Sequence, residues 1–164
     1  MGPRAGVHPA VRRLASGAMV LGSVALVLGA LMPWARLTVP VAGTLTRSGI
    51  DSGADAVFCI GVGVAACLVG LRTLLSGGPR PGSATERAVA GGVGVLGMAC
   101  AVFALVAARH VEDRLGSLLD QIPDLARRFV TGEVGEGIWM VAAGGAVIAL
   151  AALAQVLASA PGRG

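Results

Sequence analysis

The stretch LMPWARLTVPVAGTLTRSGIDSGADAVFC, Leu31–Cys59, decides how this chain folds. An apolar run stops at Pro33-Trp34, about twenty polar, turn-rich residues follow, and a second apolar run begins. Leu37, Val39 and Val41 alternate with Thr38 and Pro40, and Thr44-Leu45-Thr46 follows after Ala42-Gly43. Alternation around a glycine-containing turn predicts a short β-hairpin. Gly43 can supply the positive φ that the third position of a type II turn requires. A lone hairpin is barely stable in water, so it is expected to lie against helix ends or another loop. The segment SGIDSGAD then returns the chain, with Asp55 or Ser52 as candidate caps for the next helix.

Composition says what the apolar runs on either side are. The chain has 164 residues, of which 55% are hydrophobic and 13% charged, with a mean hydropathy of +0.80. Soluble domains carry about a quarter charged residues, so a water-facing surface cannot be built here. Four apolar segments, 14–35, 56–75, 88–108 and 138–158, each have about the twenty residues a helix needs to cross a bilayer core. Arg72 interrupts the second near its end and can snorkel to the headgroups. Arg12 and Arg13 precede the first segment as they would a signal peptide. Its apolar run is longer than a usual signal core and no clean A-x-A site follows, so a signal-anchor is the better reading. MGPRAG lacks the Ser or Thr of a myristoylation signal.

The fold class expected is an all-α membrane protein. It is a four-transmembrane-helix bundle with a small extracytoplasmic cap, made of the hairpin after helix 1 and an amphipathic helix between helices 3 and 4. Residues 1–164 form one integral membrane domain, with outer loops 36–55 and 109–137 and inner loop 76–87. Arginine density sets the orientation. Arg4, Arg12 and Arg13 lie in the first thirteen residues, and Arg72, Arg80 and Arg87 lie in the 72–87 loop. The longer 36–55 loop has only Arg36 and Arg47. Both termini are therefore expected in the cytoplasm and the protein in the plasma (inner) membrane, as a multi-pass protein. All thirteen basic residues are arginine, a bias that fits a high-GC bacterial genome.

In the second outer loop Val111, Leu115, Leu118, Leu119, Ile122, Leu125 and Phe129 recur at three- and four-residue steps. Asp124 and Arg128 are spaced for an i,i+4 pair. Pro123 breaks the pattern, so the third helix is expected to reach about Gln121 before a break and a short second helix. GEVGEG, Gly132–Gly137, reads as the return to the membrane. Leu115, Leu118, Ile122 and Phe129 are candidate partner or lipid contacts, if their stripe does not simply cover the hairpin.

Lipid gives helices no hydrophobic reward for associating, so small residues at matched spacing carry the packing. Each span has such a stripe, in which Gly22 and Gly29, Gly63 and Gly70, Gly94 and Gly97, and Gly145 are the helix-packing candidates. Trp34, Phe58, Phe103 and Trp139 give one aromatic per helix, toward its outer end. Trp34 and Trp139 read as interfacial anchors. Phe58 and Phe103 are candidates for an apolar pocket that takes a lipid or a partner helix, although plain packing explains them as well.

Catalytic signals are missing. Pumps and ion-coupled transporters place ionisable groups inside their spans, and apart from Arg72 none occurs here. Gln155 is the most polar residue of the fourth span. Cys59, Cys67 and Cys100 lie within spans without CxxC or metal spacing and read as small buried hydrophobes. His110 beside Glu112 and Asp113 lacks a second nitrogen ligand, and Asp51 and Asp55 lack the ligand count of a calcium loop. GEVGEG has neither the preceding strand nor the lysine of a phosphate loop. No serine has a histidine partner in a nucleophile motif. No basic patch is interleaved with aromatics, so no nucleic acid is expected. The expectation is no enzyme, no cofactor and no metal.

Pro33-Trp34 at the end of span one, the β-rich loop, the short basic 76–87 loop, and Gly135, Gly137 and Trp139 opening the last span resemble small four-span membrane proteins of actinobacterial type, most of them uncharacterised. The topology is also similar to claudin-like proteins, whose paired loop cysteines are absent here, so barrier function is not implied. The resemblance implies architecture and no activity. The leading expectation is an accessory or scaffold subunit. Its partners would be the lipid bilayer and another membrane or envelope protein, or a second copy of itself in a homo-oligomer. A small oligomeric transporter or channel component and a membrane enzyme of lipid or envelope metabolism follow.

Overall fold

The computed structural model describes residues 9–39, 43–49, 53–76, 84–120 and 131–159. Four helices, α1 (Pro9–Leu31), α2 (Ala54–Leu75), α3 (Ala84–Asp120) and α4 (Glu136–Ala158), alternate in direction. All four are long and apolar enough to cross a membrane. Three short strands, β1 (Pro33–Val39), β2 (Gly43–Ser48) and β3 (Thr131–Val134), form one sheet at one end of the bundle. The start of α1 and the end of α4 mark the opposite, termini end.

The helix-to-strand switch after α1 follows from Pro33. Met32 N–H donates the last helical bond to the Leu28 carbonyl at 3.0 Å. The Gly29 carbonyl would next receive the N–H of residue 33, which proline lacks. The Trp34 indole Nε1–H takes that place, donating to Gly29 O at 3.0 Å. The first span, expected over 14–35, accordingly ends at Leu31, and Pro33 to Ala35 belong to β1.

The hairpin lies where the alternation predicts it. β1 and β2 pair antiparallel, with Leu37 opposite Leu45, Thr38 opposite Thr44 and Val39 opposite Gly43. Gly43 has φ +87°; the turn residues 40–42, and Ser52 as a cap, lie outside the described residues. Asp55 does not cap α2. Gly53, at φ +88°, holds the cap position without a side-chain bond. Asp55 instead lies inside the first turn, where a negative charge favours the helix dipole.

α3 continues past its span as far as Asp120. The expected break at Pro123, the short helix beyond it and the Asp124–Arg128 pair lie outside the described residues. GEVGEG is more than a return. Its first residues belong to β3, which pairs antiparallel with β1, Leu37 opposite Gly132 and Ala35 opposite Val134. The sheet order is β2-β1-β3, so β1 is central and both loops contribute to one sheet.

The helices form a ring in chain order. α1 packs against α2 and α4, α4 also packs against α3, and a thinner α2–α3 contact closes the ring. Large apolar side chains face outward: Leu21 is 71% exposed, Val95 70% and Leu150 65%. The interior is built of Ala, Gly, Cys and Ser around Met19, Leu26, Ile138, Val141 and Ile148. This inversion suits helices whose outer faces meet hydrocarbon and whose inner faces must approach closely.

Candidate functional site

The junction of sheet and bundle is organised around Trp34. The β1–β2 register shifts between Pro33 and Ala35, leaving Trp34 as the extra residue of a bulge. A bulge re-aims a side chain, and here the indole is turned inward to 6% exposure. Its ring stands 6.3 Å from that of Phe103 on α3, tilted by 50°, a spacing at which aromatic pairs attract. Two glycines make room for it. A Cβ at Gly49 would stand 2.6 Å from Trp34 Nε1, and one at Gly137 would stand 2.9 Å from Trp34 Cδ1. A Cβ at Gly135 would run into the Pro33 carbonyl. Gly135 N–H also donates to the Trp34 carbonyl at 2.8 Å. The expectation of Trp34 as an interfacial anchor is corrected by this burial, because the uncapped Gly29 carbonyl draws the indole into the core. Trp139, 52% exposed on α4, does present its ring outward.

The other contact candidates separate. Leu115 is half-buried, and its Cδ2 would stand 2.9 Å from a Cβ at Gly132, so it leans on β3. Val111, one turn earlier, packs against the core, as does Phe103. Phe58 is 50% exposed on α2 and has no ring partner among the described residues. Phe58 and Phe103 therefore do not meet as a pocket pair; Phe103 joins Trp34 instead. Leu118 lies on α3, and Ile122 and Phe129 fall outside the described residues. Arg36 and Glu136 approach at 4.0 Å with both side chains exposed, a geometry that contributes little.

Below the sheet, the glycines read from spacing lie at helix crossings. On the α1–α4 face, a Cβ at Gly22 would stand 3.0 Å from Gly144 O, and one at Gly29 would stand 2.7 Å from Val141 N. On the α3–α4 face, a Cβ at Gly145 would stand 2.5 Å from Gly97 O, one at Gly97 2.8 Å from Ile148 Cγ2, and one at Gly94 2.7 Å from the Ala152 methyl. On the α1–α2 face, Gly63 meets Val27 and Gly70 meets Val20. Gly144 belongs with them, since a Cβ there would stand 2.7 Å from Gly22 O, although spacing singles out only its neighbour Gly145.

Among the described residues, the buried polar side chains of the bundle are Ser16, Ser23 and Gln155. Ser23 Oγ–H donates to Met19 O at 2.7 Å and Ser16 Oγ–H to Arg12 O at 2.9 Å, both within α1. Gln155 Nε2–H reaches across from α4 to Ser16 Oγ at 3.2 Å. Cys59 and Cys100 are buried free thiols facing one another across the α2–α3 contact. His110 Nδ1 lies 3.0 Å from the Val106 carbonyl of its own helix. No group of three metal-ligating side chains occurs among the described residues.

At the termini end the bundle opens into a cavity of about 180 Å³. All four helices line it: Arg12 from α1, Arg72 and Thr73 from α2, Glu86 and Arg87 from the first turn of α3, and Gln155 from α4. Sequence spacing singles out Arg72 as a snorkelling residue, but Arg87 carries no such signal, since only the fold brings it to the same cavity. No protein-family model, curated protein or solved structure matches this chain.

Proposed function

We propose that this chain is a non-enzymatic multi-pass membrane protein, an accessory or scaffold subunit that works through its sheet and its outer helix faces. The supporting observation is how the bundle is filled. Glycine contacts close the α1–α4 and α3–α4 crossings to backbone distance, and among the described residues two of the three buried polar side chains bond within their own helix. A solute path needs polar lining along its length, and one buried glutamine beside a serine is not such a path. The sheet, joined to the bundle by Trp34 and contributed by both loops, offers a platform suited to contact. Arginine density favours a cytoplasmic termini end and a sheet on the outer side of the plasma membrane.

The test is recovery of the tagged chain from native membranes in mild detergent, with native mass measurement and identification of what accompanies it. The account expects a second protein at fixed stoichiometry, released by a polar substitution of exposed Leu45 or Phe58 that leaves the fold intact. A homo-oligomer with no second protein, together with solute flux in proteoliposomes, would replace this reading with transport. Loss of a measurable lipid-modifying activity on replacing Asp55 or Asp120 would replace it with catalysis.

A further inference from the structure

The cavity at the termini end carries more positive charge than its own surroundings use. Among its lining residues, Arg12 and Glu86 are each engaged by a partner. Arg72 and Arg87 make no ion pair among the described residues, and the buried Nε–H of Arg87 has no acceptor. A buried donor left unpaired is costly, so its persistence points to an acceptor that comes from outside the described residues.

The remaining polar groups narrow what that acceptor is. Thr73, Ser76 and Ser159 donate their hydroxyl protons to the Val69, Arg72 and Gln155 carbonyls of their own helices. The amide of Gln155 is turned to Ser16. The charged donors facing the cavity are therefore the guanidinium N–H groups of Arg72 and Arg87, with the exposed Thr85 hydroxyl also on the lining; the guanidinium groups match an anion with several acceptor oxygens. Two helices begin and two end around the cavity. Their dipoles oppose one another, so the arginines decide the sign. The cavity also sits at the ends of the apolar spans, at headgroup depth if those spans cross a bilayer.

We infer that this cavity binds a phosphate group, held between Arg72 of α2 and Arg87 of α3, where it also braces the thin α2–α3 contact. The inference does not rest on the accessory reading. A phosphate of this kind is carried either by an anionic phospholipid or by soluble phosphate.

The experiment uses the purified full-length chain in neutral detergent, examined by native mass spectrometry and by thermal unfolding. Phosphatidylglycerol, phosphatidylcholine and inorganic phosphate are the probes, each added separately. Selective retention of phosphatidylglycerol over phosphatidylcholine, with a raised unfolding temperature, supports the site with lipid as the source. Stabilisation by inorganic phosphate alone supports it with a soluble source. The combined change Arg72→Gln and Arg87→Gln is expected to weaken the effective probe about 25-fold, from about fivefold per arginine. Arg109→Gln, beyond the far end of the same helix bundle, is expected to leave it unchanged. Equal retention of both lipids with no response to phosphate would overturn the inference, and that comparison needs no variant. Undiminished binding by the correctly folded double variant would overturn it as well.

Discussion

Replacing Trp34 by Ala is expected to lower stability by about 3 kcal/mol or more, the range for truncating a large buried aromatic. Two losses combine. The indole leaves a void among Phe103, Gly49 and Gly137, and the Gly29 carbonyl loses its donor. Pro33 cannot replace that donor, because it has no N–H. The sheet should loosen with the bundle, since β1 joins β2 to β3. Trp34→Phe separates the terms. It keeps most of the ring volume and removes the hydrogen bond, so a loss of about 1 kcal/mol is expected. Heating the detergent-solubilised variants and measuring the fraction that remains monodisperse reads both. Wild-type resistance of Trp34→Ala would show that the indole is not the joint described here.

Gly145→Val is expected to be as damaging, by separating two helices. A Cβ at Gly145 would stand 2.5 Å from Gly97 O and 2.9 Å from Ala101 N. These are backbone atoms that cannot rotate away, so α3 and α4 must move apart along their shared face. Overpacking of this kind costs about 1–3 kcal/mol before the lost neighbouring contacts are counted. Gly92→Ala provides the contrast, because nothing lies within 4 Å of its added methyl. There the substitution should be neutral or raise stability by a few tenths of a kcal/mol up to ~1 kcal/mol, through helix propensity. Thermal unfolding of the two variants side by side checks the prediction. Equal behaviour would mean that close helix approach does not hold the bundle together.

Local signals made much of this architecture legible. Four apolar runs give the helices, and alternation on either side of Ala42-Gly43 gives the hairpin, because each is set by residues near one another in sequence. The small-residue stripes work for the same reason: a spacing of three or four residues puts Gly22 and Gly29, or Gly94 and Gly97, on one helix face. The misreadings come from distant partners. TGEV is too short for a strand pattern to stand out, and it becomes β3 only because β1 offers it an edge. Trp34 has the sequence context of a headgroup anchor. What buries it is the combination of a donor missing at Pro33 with space left by Gly49 after β2 and Gly137 at the start of α4. Arg87 looks like an ordinary loop arginine until the fold brings it to the cavity that Arg72 also lines and leaves its Nε–H unmatched.

The functional reading depends on the sheet and the termini end lying on opposite sides of a membrane, with the sheet outside. The direct measurement is cysteine labelling in intact cells with a membrane-impermeant maleimide, using Thr44→Cys on β2 and Thr85→Cys at the start of α3. Both positions are exposed, whereas the native Cys59 and Cys100 are buried and Cys67 is partly so, which makes the unmodified chain the blank. The account predicts that Thr44→Cys is labelled in intact cells and that Thr85→Cys is labelled only after permeabilisation. The reverse pattern, or equal labelling of both before permeabilisation, would contradict it.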